Sequence, residues 1–270
     1  MGFYVTRKQF LEKGDRLRNE VDSALTIIFG SDLPSSSVPR PKLHYRGTAS
    51  YFEYAGFPCV LTAAHVLQGC PQLDNVFHGK GEESFFPLRS GWYATVDAEV
   101  DLAVMGCFQK ALEQAAIKPL KYTHFLAPSY NHKDAFYYCN GYPGAHSVNL
   151  PFLGEFSIRD NAFIGKAARL PDGVDPSKCF AIEYPCNIDP PGMSGAPVWN
   201  LRFHCMQRVE DWAPEAASFA GVAQRWCPET KVLIVTRVEH VRDFIPRAVE
   251  HLRTRYKWKD GNEVLEAGQI

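Results

Sequence analysis

The sequence predicts an all-β body, a barrel or a sandwich, with a helix at either end. Three observations predict it. Short apolar runs recur from about residue 46 to residue 238, separated by glycine and proline. Apolar residues take up helical spacing near the two ends, first at Phe10, Leu17, Val21, Leu25 and Ile28 and again at Phe244, Ile245, Ala248, Val249 and Leu252. No internal repeat and no low-complexity tract interrupts the pattern.

The elements follow in order. Charges separate the apolar residues between Phe10 and Ile28, so an amphipathic helix is expected there, bracing the main domain. Leu33-Pro34-Ser35-Ser36-Ser37-Val38-Pro39-Arg40-Pro41 has the composition of a linker. Strands are expected over Thr48 to Tyr54 and Phe57 to Thr62, joined by an Ala55-Gly56 turn. Further strands are expected over Trp92 to Val96, Leu102 to Cys107, Ala135 to Asn140, Phe152 to Ile158 and Ala162 to Ala167. Cys179 to Tyr184, Ala196 to Trp199, Phe219 to Ala223 and Val232 to Val238 complete the set. The stretch from Leu201 to Ser218 is long enough for a surface hairpin, a lid or a partner contact. Helical spacing from Asp243 to Leu252 closes the fold, and a polar, loose tail is expected from Lys259. The expected division is a helix and linker over 1–45, a main domain over 46–250, and a helix end and tail over 251–270.

Composition bounds the function. The 270 residues are 46% hydrophobic and 22% charged, so the chain can bury a core. A net charge of −1 gives no reason to expect nucleic acid or an anionic membrane surface as partner. No apolar run approaches the ~18 residues that span a bilayer, and the segment Met1 to Lys8 lacks an apolar signal core. A cytoplasmic location is therefore expected. The eight cysteines are scattered at 59, 70, 107, 139, 179, 186, 205 and 227, and reduced, largely buried thiols are expected. Cys59, His65 and Cys70 are spaced unlike any common zinc site, so neither metal nor other cofactor is expected.

Three local segments carry chemistry. In Leu61-Thr62-Ala63-Ala64-His65-Val66-Leu67, two small residues before the histidine leave its ring open to a partner. In Val100-Asp101-Leu102-Ala103-Val104 an acid opens an apolar strand, where a carboxylate needs a hydrogen-bond donor such as an imidazole. Pro191-Gly192-Met193-Ser194-Gly195-Ala196-Pro197 is a tight turn carrying one hydroxyl. A serine hydroxyl is a poor nucleophile until a base takes its proton, and that base is a histidine held in one tautomer by an acceptor. The resulting oxyanion needs preorganised N–H donors. Gly192 permits a turn that aims the Gly192 and Ser194 amides into one pocket, and Gly195 admits close neighbours. Asp97 competes with Asp101 for the acid's role, and Asp101 is preferred because it opens the apolar strand. The remaining histidines, among them His124, His146, His204 and His240, read as surface or packing residues.

Thr62-Ala63-Ala64-His65, Asp101-Leu102-Ala103-Val104 and Gly192-Met193-Ser194-Gly195-Ala196-Pro197 resemble the three signature segments of trypsin-like serine peptidases, nearer in style to the bacterial HtrA-like group than to digestive enzymes. Asn140-Gly141-Tyr142-Pro143-Gly144 and Gly221-Val222-Ala223 extend the resemblance, which covers roughly residues 46 to 250. It implies a chymotrypsin-like fold of two antiparallel six-stranded β-barrels, one over about 46–125 and the other over about 130–240; as a departure from the HtrA-like group, no PDZ domain is expected after them. His65 and Asp101 would come from the first barrel and Ser194 from the second. It also implies a substrate pocket walled by Ile188 and Asp189 on one side and by Val222, Ala223 and Gln224 on the other. Met193 stands where digestive members carry an aspartate that pairs with a freed N-terminus, so control by a partner protein, a loop or compartment is expected in place of N-terminal clipping. Cys59 and Cys70 flank the histidine at offsets unlike the family's disulfide, and that bond is not carried over.

The chain order His, Asp, Ser differs from that of subtilisin-like enzymes and of α/β-hydrolases, and Ala196 breaks the G-x-S-x-G elbow. A lipase of another fold is thereby disfavoured. The expected activity is serine endopeptidase action on a protein or peptide. The alternative is a catalytically silent scaffold that binds proteins.

Overall fold

The apolar spacing that begins at Phe10 does not run on to Ile28 as one helix. Helix α1 (Arg7–Val21) stops at a short 3-10 turn, and Leu25–Ser31 form strand β1. The reason is local: Thr26, Ile27 and Ile28 are β-branched and favour a pleated surface. They pair antiparallel with residues on either side, Ile28 against Gly47 and against His78. The computed structural model describes residues 7–31, 43–68, 76–79, 85–87, 91–107, 109–114, 116–126, 134–143, 148–150, 155–157, 160–185, 190–206 and 208–256.

The first half of the chain builds one sheet. Its strands are β1, β2 (Leu43–Tyr54), β3 (Phe57–Ala63), β4 (Val76–Gly79), β5 (Phe85–Pro87), β6 (Trp92–Ala94), β7 (Leu102–Gly106) and β8 (Leu120–Lys121). Their order is β5-β4-β1-β2-β3-β7-β6, with β8 paired parallel to β2. Helices α2 (Ala64–Gln68) and α3 (Gln109–Gln114) interrupt it. The second half contains β9 (Phe136–Gly141), the hairpin β10 (Val148–Leu150) and β11 (Glu155–Ser157), and β12 (Asn161–Ala168). After these come β13 (Cys179–Glu183), β14 (Pro197–Asn200), β15 (Ser218–Cys227) and β16 (Val232–Arg237). Six of these close a barrel in the order β12-β13-β16-β15-β14-β9. The architecture is the chymotrypsin-like two-barrel fold, with one difference in detail: among the described residues the first sheet has eight strands.

Helix α4 (Val238–Tyr256) ties the halves together. Its residues Val241, Phe244, Ile245, Ala248, Val249 and Leu252 are all buried in a core shared with β2, β3, β7, β14 and β15. Phe244 stacks on Tyr93 of β6 at 5.7 Å, and Arg253 lies over the Phe57 ring at 4.9 Å. Burying apolar side chains of this size stabilises by about 1.5–3 kcal/mol each.

The 201–218 connection is no projecting hairpin. It folds as three 3-10 turns, Phe203–Cys205, Val209–Asp211 and Pro214–Ala216, and is docked beneath α1. Trp212 is 1% exposed and donates its indole N–H to the Leu201 carbonyl at 2.6 Å. The Lys13 ammonium donates to the carbonyls of Glu210 and Trp212, at 3.1 Å each. An aromatic anchor therefore commits this segment to the core.

Cys59, Cys107 and Cys179 are free and buried, Cys139 is buried, Cys205 is free and exposed, and Cys227 is free and half-exposed. Cys70 and Cys186 lie outside the described residues, as does the tail from Lys259. Among the described residues no helix is long and apolar enough to cross a membrane.

Candidate active site

Strand pairing brings the histidine to the acid. Strand β3 lies antiparallel to β7 with Ala63 opposite Leu102, so the residues just beyond those ends become neighbours. The Ala64 amide extends the ladder by donating to the Asp101 carbonyl at 3.0 Å. His65, in the first turn of α2, then meets the Asp101 carboxylate twice. Its backbone N–H donates to Oδ1 at 3.0 Å, and its ring Nδ1 is 2.7 Å from Oδ2. A carboxylate accepts only, so Nδ1 carries the proton and Nε2 is left as the basic nitrogen. The Asp101 side chain is 12% exposed and the His65 ring 44% exposed, which orients the ring from its buried side and opens it on the other. Asp101 has φ of 46°, a left-handed conformation uncommon outside glycine.

Asp97 goes elsewhere. Its carboxylate faces solvent and pairs with Lys178 Nζ at 2.8 Å, and that hydrogen bond holds it below the ordinary carboxylate range.

The serine lies on a turn that both halves of the fold grip. Met193 N–H donates to the Pro190 carbonyl and Ala196 N–H to the Met193 carbonyl, each at 2.9 Å. Gly192 and Gly195 have φ of 101° and 89°, which closes the turn. From the second barrel, Gly195 N–H donates to the Ala223 carbonyl at 2.7 Å. From the first sheet, Thr48 N–H donates to the Ser194 carbonyl at 2.9 Å. The Thr48 hydroxyl donates to the Gly192 carbonyl at 2.8 Å and accepts from Tyr142 N–H at 2.9 Å. The Tyr45 phenol, with one proton to give, faces the carbonyls of both Tyr142 and Gly192, the latter at 2.6 Å, and burial keeps that phenol well above its ordinary titration range. With its carbonyls pinned inward, the loop leaves the Gly192 and Ser194 amides without an acceptor among the described residues.

The Ser194 hydroxyl donates to the Gln224 carbonyl at 2.7 Å. Gln224 is the extra residue of a bulge in β15, where pairing with β16 slips between Ala223 and Arg225. A cavity of about 320 Å³ opens beside His65 and Asp101, and Thr95, Gln224 and Arg225 also line it. The residue that holds the serine hydroxyl thus faces the space in front of the His65–Asp101 pair.

Of the residues expected to wall the substrate pocket, Val222 and Ala223 are buried at 1% and 0% exposure within the two cores, and neither lines this cavity. The alternating pleat and the bulge turn Gln224 and Arg225 toward it instead. Ile188 and Asp189 lie outside the described residues. Tyr45 and Thr48 carried no functional signal in the sequence beyond their places, one just before the first expected strand and the other at its start. Sequence reasoning named Gln224 only as pocket wall, although an amide amid an apolar strand signals a buried partner. Among the described residues no group of His, Cys, Asp and Glu side chains is arranged to hold a metal.

No family model matches the chain, and no curated protein matches it. Among solved structures, the Rv3671c protease from M. tuberculosis in its active form is 17% identical, with a TM-score of 0.54, over 92% of this chain and 93% of that one. AlgW, an HtrA-type protease solved with a decapeptide, is 14% identical, with a TM-score of 0.53, over 88% of this chain and 68% of that one. At these identities the likeness is one of fold.

Proposed function

We propose that this chain is a serine endopeptidase with Ser194 as nucleophile, His65 as general base and Asp101 as the residue that orients the base. The observation that carries this reading is the double hydrogen bond by which one carboxylate holds both the backbone amide and Nδ1 of His65. That arrangement fixes the tautomer a neutral base needs.

In the proposed reaction a peptide binds on the exposed side of the His65 ring. Ser194 Oγ attacks the scissile carbonyl carbon as its proton passes to His65 Nε2. The carbonyl oxygen becomes an oxyanion, held by the Gly192 and Ser194 amides. Collapse expels the amine, which takes the proton from His65 and leaves an acyl-enzyme. Water, deprotonated by the same nitrogen, then hydrolyses the ester and restores Ser194. Asp101 stays ionised throughout and stabilises the imidazolium.

One observation favours a second reading. The Ser194 hydroxyl is bonded to the Gln224 carbonyl, with no hydrogen bond to His65. A silent scaffold that binds proteins would keep this arrangement, and so would a resting enzyme that a partner protein activates. Labelling with a fluorophosphonate probe separates them. Wild type should take the label at Ser194 and Ser194→Ala should not, and peptide turnover should fall by about 10⁶ in that variant. Wild type that stays unlabelled, alone and in lysate containing its partners, leaves the binding scaffold as the better reading.

A further inference from the structure

The turn that presents Asp101 belongs to the first sheet, yet the second barrel holds it. Within the turn, the amides of Val100 and Asp101 both donate to the Asp97 carbonyl at 3.1 Å. The carbonyls that precede Asp101 are taken by side chains from β15, β16 and β13. The Gln224 amide Nε2 donates to the Glu99 carbonyl, and also to the Thr236 hydroxyl at 2.7 Å. The Thr236 hydroxyl passes its own proton on to the Val100 carbonyl at 2.8 Å. Cys179 Sγ donates to Glu99 O at 3.4 Å, and Lys178 bridges the Asp97 and Glu99 carboxylates on the surface at 2.8 Å each. Gln224 is 3% exposed and Thr236 0% exposed. Both N–H bonds of the Gln224 amide and the single O–H bond of Thr236 are used, so the chain of donors has one direction and no spare proton.

We infer that Gln224 and Thr236 are positioning residues. Together they lock the Glu99–Val100 backbone so that Asp101 stays in its left-handed conformation and keeps both oxygens on His65. Gln224 serves both ends of the site, because its carbonyl holds the Ser194 hydroxyl while its amide holds the acid-bearing turn. The β15 bulge makes this possible by freeing the Gln224 carbonyl from the sheet ladder. A residue rarely keeps a positive φ outside glycine unless its surroundings impose it, and here they do so from the opposite barrel. Neither residue touches the reacting atoms through its side chain. Their effect reaches the chemistry through Asp101 and then His65.

The inference rests on the serine peptidase reading, so the test measures both. Thr236→Val keeps the side chain's shape and removes the relay hydroxyl, Thr236→Ser restores it, and Gln224→Met removes both amide donors at similar length. Fluorophosphonate labelling rate and peptide kcat and KM are measured for each, with urea unfolding to confirm that each variant is folded. The expected result is a fall in labelling rate and kcat of about 10- to 100-fold for Thr236→Val and Gln224→Met, as for a misplaced catalytic group. KM should be unchanged, and Thr236→Ser should recover wild-type behaviour. In an Asp101→Asn background the further change Thr236→Val should cost nothing more, because the orientation it protects is already lost. Wild-type rates in both variants overturn the inference, as does an undiminished loss in the Asp101→Asn background. Wild type that takes no label at Ser194 overturns the parent reading and this one with it, a result distinct from variants that label normally. If Gln224→Met does not fold, Thr236→Val alone decides.

Discussion

Replacing Thr48 by valine should cost both stability and reactivity, by amounts that can be worked out bond by bond. The Thr48 side chain is 0% exposed, and valine puts a methyl group where the hydroxyl was. The hydroxyl's bond to the Gly192 carbonyl is lost, worth about 0.5–1.5 kcal/mol net. The Gly192 carbonyl keeps the Tyr45 phenol at 2.6 Å, a donor it shares with the Tyr142 carbonyl. Tyr142 N–H loses its acceptor, at about 1–3 kcal/mol for a buried amide left unpaired. The sum is about 1.5–4.5 kcal/mol, a large share of a typical total of about 5–15 kcal/mol. Urea unfolding with linear extrapolation should show it as a lower midpoint at constant slope. Reactivity should fall as well, because the Gly192 peptide is then held on one side only. Complete loss of one oxyanion donor costs about 10²–10³ in rate, which bounds the effect from above, and about 10-fold is the least expected. Thr48→Ser, which keeps both bonds, should recover most of each loss. A destabilisation below about 0.5 kcal/mol together with an unchanged labelling rate would refute the claim that this hydroxyl supports the loop.

Other outcomes follow from the same structure. Gly195→Ala should destabilise the fold by more than about 4 kcal/mol in a urea melt. Its φ of 89° strains any L side chain, and a Cβ there would overlap the Thr48 carbonyl oxygen and the Thr62 hydroxyl. Iodoacetamide at pH ~8 should modify Cys205 in the folded protein and leave Cys59, Cys107, Cys139 and Cys179 untouched until urea is added, as read by mass spectrometry. Burial pushes the Cys179 thiol up to about 11, so little thiolate is present at that pH. Finally, Lys178 holds Asp97 below the ordinary carboxylate range. A carboxylate with a depressed folded pKa adds stability above its unfolded value near pH ~4 and loses it as pH falls through the folded value. Melting temperatures of wild type and Asp97→Asn should therefore differ at pH ~7 and converge at pH ~3, with a small difference because the pair is exposed.

The parts of the fold that were legible in the sequence are those where local pattern and tertiary pairing agree. Phe57–Ala63 is buried at every position and reads as an unbroken apolar run, and Leu102–Gly106 does the same. Where they disagree, the sequence misleads. Leu25 and Ile28 continue the helical spacing of α1, yet they pair with β2 and are drawn into the sheet. The short strands Val76–Gly79, Phe85–Pro87 and Leu120–Lys121 gave no signal, because a few residues carry no period and form strands only through their partners. Trp212 anchors the 201–218 segment through a carbonyl eleven positions away, a contact that composition cannot announce. At the proposed site, His65 and Ser194 could be picked out because each stands in a small-residue or glycine context, and Asp101 because it opens an apolar strand. Tyr45, Thr48, Gln224 and Thr236 could not, because what they hold are carbonyl oxygens, and every residue has one.

The site's three members are joined by unequal means. His65 and Asp101 lie 36 positions apart, but one antiparallel pairing, Ala63 opposite Leu102, makes them neighbours. Their proximity belongs to a single sheet, while the orientation of the carboxylate on His65 is held, as inferred, from the second barrel. Ser194 has no such shared strand. It is joined to the first sheet through Thr48, which donates to the Ser194 carbonyl, and through Gln224 of its own half, whose carbonyl accepts from the Ser194 hydroxyl while its side-chain amide donates to the Glu99 carbonyl. The serine's placement is thus the weakest joint of the site and the point where a bound substrate or a partner protein has most leverage. A peptide N–H that takes over the Gln224 carbonyl would release the hydroxyl toward His65 without moving either barrel, whereas loosening the Thr48 contact would carry the whole loop away. On the proposed reading the first change arms the nucleophile and the second disarms it, although both act on hydrogen bonds of the same residue.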